Sequence, residues 1–229
     1  MKKIIIKLIL AVLLVILIIG GYFYFIGKSL YNKKTNEVSI TTKVEEIKKS
    51  EDYTTLDKVP KDYLNAIIAV EDHRYYKHGA VDYIALLRAG VRNFKAKDLI
   101  EGGSTITQQV AKNLYFITDG DGADRKIAEI MIAEQLEKQY SKDDILELYI
   151  NIIYFGDGYY CVYDAAHGYF GKDPIDMNLY ECTLLAGIPN APSVYSPTVN
   201  PELARKRQEK VIKDMVEYGY LTQEQADNL

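Results

Sequence analysis

Residues 101–112 read Glu101-Gly102-Gly103-Ser104-Thr105-Ile106-Thr107-Gln108-Gln109-Val110-Ala111-Lys112. Two glycines interrupt the chain, and two hydroxyl residues then precede an apolar-periodic run through Val110. That order marks a helix start, because a Ser or Thr oxygen can cap the unpaired N–H groups of a first turn. Thr105, Gln108 and Lys112 fall on one helical face. Such a start has two readings. It offers backbone N–H groups to an anion such as a phosphate, or it is an ordinary cap with a polar surface. It is not a phosphate-binding P-loop, because the Gly-Lys-Ser/Thr ending is missing.

Working outward, helix signals recur on both sides. Pro60 suits a first helical turn. Asp82 precedes Tyr83-Ile84-Ala85-Leu86-Leu87. Ser141 is followed three residues later by Asp144, and Asn178 by Glu181, both box-like caps. Asn200-Pro201 pairs a cap with a first-turn proline, and Thr222 with Gln225 opens a last short helix. Gly79, Gly102, Gly103, Gly120, Gly156, Gly158 and Gly171 punctuate the joins. The pattern predicts a mainly α-helical domain of about eight to ten helices, with no convincing parallel sheet.

Upstream, the chain runs apolar from Leu8 to Ile26 and ends in an aromatic belt, Tyr22-Phe23-Tyr24-Phe25. About 19 residues of helix span roughly 28 Å, one hydrocarbon core. A cleaved signal peptide has a shorter apolar region and a small-residue cleavage site, so an uncleaved anchor is expected. Residues 1–27 then form the membrane anchor and 28–58 a polar stalk, with one short strand around Glu37–Thr42. A catalytic or binding domain fills 59–229. The short leading segment favours the N-terminus inside the cell and the domain outside. Lys2, Lys3 and Lys7 before the span are matched by Lys28, Lys33 and Lys34 after it, which leaves the positive-inside rule near even.

A net charge of -4 and the lack of a long basic block or known motif argue against nucleic acid. Cys161 and Cys182 either pair outside the cell or are two small buried residues. His73, His78 and His167 lack zinc-ligand spacing.

Two carboxylates stand out. On a helix expected over Lys61–Tyr76, Leu64, Ile67, Ile68, Glu71 and Tyr75 share one face. A glutamate on an apolar stripe is costly unless partnered or rimmed by a cleft, and desolvation there raises its pKa toward the range of a useful base. The plainer reading is an ion pair with Arg74 or Lys77. Glu129, one turn after Arg125 and Lys126, is either a surface ion pair or part of an anion or metal–phosphate site.

At these residues the sequence resembles glycosyltransferase family 51, the peptidoglycan glycosyltransferase domain of penicillin-binding proteins, in its monofunctional form. The first family motif is matched by Glu71-Asp72-His73-Arg74-Tyr75-Tyr76-Lys77-His78. The second is Gly102 to Gln109, the third Arg125-Lys126-Ile127-Ala128-Glu129, and the fourth Lys142 to Asn151. Tyr169-Phe170-Gly171-Lys172 and Ala186 to Ser193 also match, and Arg207 with Val211-Ile212 fit a last, partial motif. The resemblance runs from about Leu56 to the C-terminus.

It implies a lysozyme-like helical fold and an inverting transfer that polymerises lipid II into glycan strands, with undecaprenyl pyrophosphate leaving. By that resemblance Glu71 would be the general base. Glu129 would act at the pyrophosphate, directly or through Mg²⁺ or another divalent cation, and no organic cofactor is implied. Lys112, Arg125 and Lys126 would offset leaving-group charge. Ser104, Thr105 and Gln108 would hold donor sugar and phosphate, and Asp72, Tyr75, Gly103, Thr107 and Gln109 would also lie against substrate. Implied partners are lipid II, the growing glycan, the membrane and other cell-wall synthesis proteins. The apolar stretch Ala80–Ile100, with Leu86, Leu87, Val91, Phe94, Leu99 and Ile100, would dip into lipid, although a plain core helix accounts for most of those residues too.

The chain departs from the family pattern in places. Tyr75 stands where Phe is usual and Cys161 at a usual glycine. An Arg often found in relatives is absent from Ile117–Asp124, where Asp119, Asp121 and Asp124 stand. That implies weaker pyrophosphate binding or more reliance on a metal. No Ser-x-x-Lys or Lys-Thr-Gly occurs, so no transpeptidase half is expected in this stretch. Two other readings are carried. A lytic transglycosylase or lysozyme-type hydrolase would share the Glu but need neither the second nor the third motif. A catalytically weak membrane-anchored scaffold would bind lipid II and release no polyprenyl pyrophosphate.

Overall fold

The computed structural model describes residues 2–96 and 103–229, with residue 2 and residues 90–96 described by backbone alone. Its helices are α1 (Lys2–Glu37), α2 (Ile40–Lys48), α3 (Lys61–Glu71), α4 (Tyr83–Ala96), α5 (Ile106–Tyr115) and α6 (Ala123–Gln139). They continue as α7 (Lys142–Ile152), α8 (Val162–Phe170), α9 (Leu179–Gly187), α10 (Pro192–Tyr195), α11 (Pro201–Glu217) and α12 (Gln223–Asp227). No strand occurs among the described residues. The fold is mainly α, and the ten helices α3–α12 match the number expected.

The predicted caps account for the helix starts. Thr105 Oγ1 accepts from Gln108 N at 3.1 Å. Ser141 with Asp144, Asn178 with Glu181, and Thr222 with Gln225 each form a reciprocal box. Pro60 stands just outside α3 rather than in its first turn.

Two groups of three helices build the core. In one, α3 packs on α9 and α11, which also pack on each other; in the other, α5 lies against α6 and α7. Tyr63, Ala66 and Ile67 of α3 and Ile106, Val110 and Ala111 of α5 are all within 1% of full burial. Helix α3 is aimed so that its last residue, Glu71, emerges where the two groups meet.

Three expectations are corrected. Helix α3 stops at Glu71 instead of running to Tyr76. Asp72 turns out of helical geometry at φ −158°, and only a short 3₁₀ turn follows over Tyr75–Lys77. The strand expected around Glu37–Thr42 is absent, because Ser39 accepts from Thr42 N and starts α2. The stretch 28–58 is also not a loose stalk. Helix α1 is one element of 36 residues, about 54 Å long, and is long and apolar enough to cross a membrane. Beyond the apolar run it lies against α6, and Ile40 and Val44 of α2 are buried.

Cys161 and Cys182 are free and buried, and burial pushes their thiols up to about 11 and about 12. On α4, Tyr83, Ile84, Leu86 and Leu87 are all more than half exposed, so that part of the helix is not core. Val91, Phe94, Leu99 and Ile100, named with them for lipid contact, lie outside the described side chains.

Candidate active site

Glu71 ends α3 with its side chain only 9% exposed. Gln109 Nε2, on α5, donates to Glu71 Oε2 at 2.8 Å. Arg207 Nη2, on α11, lies 3.4 Å from Oε1. Burial raises the carboxyl pKa above its usual range, while the Gln109 bond and the Arg207 charge pull the other way. The net rise is the shift a general base needs. Neither Arg74 nor Lys77 is the partner. Arg74 instead makes a two-armed ion pair with Asp82, at 2.8 and 2.9 Å.

A cavity of about 760 Å³ opens beside Glu71, and Lys112, Arg125, Lys126 and Glu129 form part of its wall. Glu129 is not a surface pair, since its side chain is 3% exposed. Arg125 Nη1 reaches one oxygen at 3.3 Å and Lys126 Nζ is in close contact with the other. Lys126 also donates to Ser104 Oγ at 3.0 Å and Gln108 Oε1 at 3.2 Å, so it ties α6 to the start of α5. Arg125 Nε is buried with no hydrogen-bond partner, and exposed Lys112 makes no ion pair among the described residues. This wall holds donor capacity that the protein itself does not use, which suits an anion.

Magnesium fits this arrangement poorly. Neither oxygen of Glu129 is clear of a cation, and a divalent ion held here would need a carboxylate oxygen free to ligate it. Asp72, His78 and Asp82 also cluster. Their atoms are already engaged, His78 Nε2 with Asp72 Oδ1 at 2.7 Å and Asp82 with Arg74.

The start of α5 is less open to an anion than its sequence suggests. Ile106 N donates to Asp72 Oδ2 at 3.1 Å and Gln108 N to Thr105 Oγ1. Asp72 is thus a clasp between the first and second motifs, with both oxygens used internally. Thr105, Gly103 and Ser104 line the cavity, and Gln108 meets it through Lys126. Tyr75 and Thr107, expected against substrate, do not line it. Both are fully buried. Tyr75 Oη donates to the Lys142 carbonyl at 2.6 Å and Thr107 Oγ1 to Glu137 Oε1 at 2.6 Å. The reason is the early end of α3, which turns Tyr75 into the core. Gly102 lies outside the described residues.

Sequence reasoning gave Arg207 no role. Its approach to Glu71 spans 136 positions and depends on Gly187, where an added Cβ would meet Arg207 Cγ at 3.0 Å. The partial last motif was the signal available. His73 was passed over too. It stacks on Tyr218 at 4.2 Å in the cavity wall, and burial followed by the Arg88 charge lowers its pKa, favouring the neutral ring.

Residues 33–216 match a family model described as Transglycosylase. A Cupriavidus necator protein described as a candidate transglycosylase is 44% identical over 176 residues, 77% of this chain and 75% of that one. Penicillin-binding protein 1A of Aquifex aeolicus is 44% identical over 175 residues, 76% of this chain but 24% of its own length. Penicillin-binding protein 1F of Bacillus subtilis is 37% identical over 236 residues, 98% of this chain and 33% of its own length. The chain therefore spans a third or less of these two penicillin-binding relatives. A crystal structure of penicillin-binding protein 1A from Haemophilus influenzae aligns with 77% of this chain and 16% of that one, at 22% identity and a TM-score of 0.46. The chain belongs to the transglycosylase family of peptidoglycan glycosyltransferases.

Proposed function

We propose that the protein polymerises lipid II at the outer face of the membrane, anchored by α1. The observation that carries this is a buried carboxylate, Glu71, held from two sides at the edge of a cavity whose wall includes the cations Lys112, Arg125 and Lys126. Glu71 takes the proton from the 4-hydroxyl of the incoming sugar. That oxygen bonds to the anomeric carbon of the growing glycan from the opposite face. The bond from that carbon to the pyrophosphate oxygen breaks, and its electron pair leaves with undecaprenyl pyrophosphate. One displacement inverts the centre. Lys112, Arg125 and Lys126 meet the charge that grows on the leaving group, where preorganised cations give the most catalysis. Glu129 holds two of those cations in place. Ser104 and Thr105 lie against the donor sugar and phosphate.

The test is polymerisation of labelled lipid II by detergent-solubilised protein, read on a gel beside Glu71→Gln. Wild type is expected to make polymer that moenomycin blocks, and Glu71→Gln at least roughly a hundredfold less. Folded wild type that binds lipid II without releasing polyprenyl pyrophosphate would replace this reading with the scaffold.

A further inference from the structure

The anchor helix does more than tether. Gly27 is the first residue after the apolar run, and it is buried. It lies so close to α6 that a Cβ placed there would stand 2.5 Å from Ile127 Cγ2, 2.6 Å from Ile127 Cβ and 3.2 Å from the Asp124 carbonyl. The Ile127 Cβ and the Asp124 carbonyl are fixed by the backbone of α6 and cannot swing aside. Ile127 directly follows Lys126. About 10 Å further along α1, Lys34 pairs with Asp119 at 3.0 Å and sits over the Phe116 ring, and just past the helix end Tyr115 Oη donates to the Val38 carbonyl at 2.7 Å. Two fixation points on one continuous helix set both the height and the tilt of the domain against its membrane span.

The apolar run ends at Ile26, so the span leaves the hydrocarbon there, at the depth where lipid phosphates begin. We infer that the Gly27–Ile127 contact is a positioning device that holds Arg125 and Lys126 level with the pyrophosphate of a membrane-embedded substrate. This rests on the lipid-linked substrate proposed above. A bulkier residue at Gly27 has to part the two helices. Helix α6 cannot give, because Ala128, Ile132 and Ala133 on its other side are fully buried. Helix α1 gives instead, and the domain changes height while its cavity stays intact.

The experiment compares full-length wild type, Gly27→Val and Gly27→Val/Ile127→Ala, each checked for helical content. Two substrates are used: lipid II carrying its full polyprenyl chain in liposomes, and a short-chain, water-soluble analogue in detergent. Gly27→Val is expected to polymerise the embedded substrate about tenfold more slowly and the soluble one within about twofold of wild type. The double variant, which removes the branched atoms in the way, is expected to recover most of the loss. Gly27→Ala provides a milder change in the same direction. Normal polymerisation in liposomes by Gly27→Val overturns the inference, as does an equal loss on both substrates, which would mean that the site itself is distorted. Wild type that is inactive on both substrates would instead defeat the proposed activity.

Discussion

Gln109 and Glu71, 38 positions apart, meet through a 2.8 Å hydrogen bond from the amide to the carboxylate. The bond favours the ionised carboxylate, so it opposes the rise that burial causes. Gln109→Leu removes it at nearly constant size. The Glu71 pKa then rises further, a larger share is protonated at neutral pH, and the rising limb of the pH–rate profile moves to higher pH. Loss of a charge-assisted bond also predicts a kcat about tenfold lower near neutrality. An unmoved limb would show that Gln109 does not set the ionisation of the base.

Arg207 acts on the other oxygen at 3.4 Å. Arg207→Met keeps much of the stem across Gly187 and removes the charge. The same alkaline movement of the rising limb is expected, and Arg207→Lys should return part of it. Identical profiles for the two variants would reduce Arg207 to a packing role.

Asp82 is nearly buried, pairs with Arg74 and accepts from Ile84 N and Ala85 N at the start of α4. Burial alone would raise its carboxyl, but the Arg74 bond, the backbone bond and nearby positive charge bring it down to about 2. A lowered pKa gives stability that is present above the ordinary carboxylate range and disappears as pH falls toward 2. Denaturant unfolding should therefore show wild type losing stability between about pH 4 and pH 2. Asp82→Asn should be less stable at pH 7 and flatter over that window. A parallel pH dependence in both proteins would count against this assignment.

Asp121 is 93% exposed yet pairs with Arg125 at 2.6 Å, and so competes with any anion for that guanidinium. Asp121→Asn should lower KM for lipid II by about two- to fivefold, the scale of an exposed ion pair, with less effect at high salt. An unchanged or raised KM would show that the acidic loop does not compete at Arg125.

The helix starts were legible in the sequence because capping is local. Ser141, Asn178 and Thr222 each reach a residue three positions on, and such a pattern can be read in one dimension. The expectation that Glu71 sits on an apolar stripe with a raised pKa also rested on local spacing. What holds Glu71 did not, since Gln109 and Arg207 arrive from other helices. Tyr75 and Thr107 were placed against substrate because they stand within matched motifs, but a motif mixes residues that face the cavity with residues that support it. The dock of α1 on α6 was hidden for another reason. Its stripe, through Gly27, Leu30, Tyr31 and Lys34, combines a glycine, an aromatic and a lysine, which no count of apolar residues picks out.

An unbroken α1 has register as well as length. Each added residue turns the helix by about 100°. One extra residue between Gly27 and Lys34 would rotate one fixation point away from the domain while the other stayed in place. Seven extra residues would restore the angle but carry the two points about 10 Å too far apart. Before Phe23 no such phase applies, because the apolar residues of the span are exposed there. The chain can therefore adapt to bilayers of different thickness by changing the exposed run Leu8–Tyr22 alone, with the eight residues Gly27 to Lys34 acting as a fixed gauge between the lipid surface and the reaction.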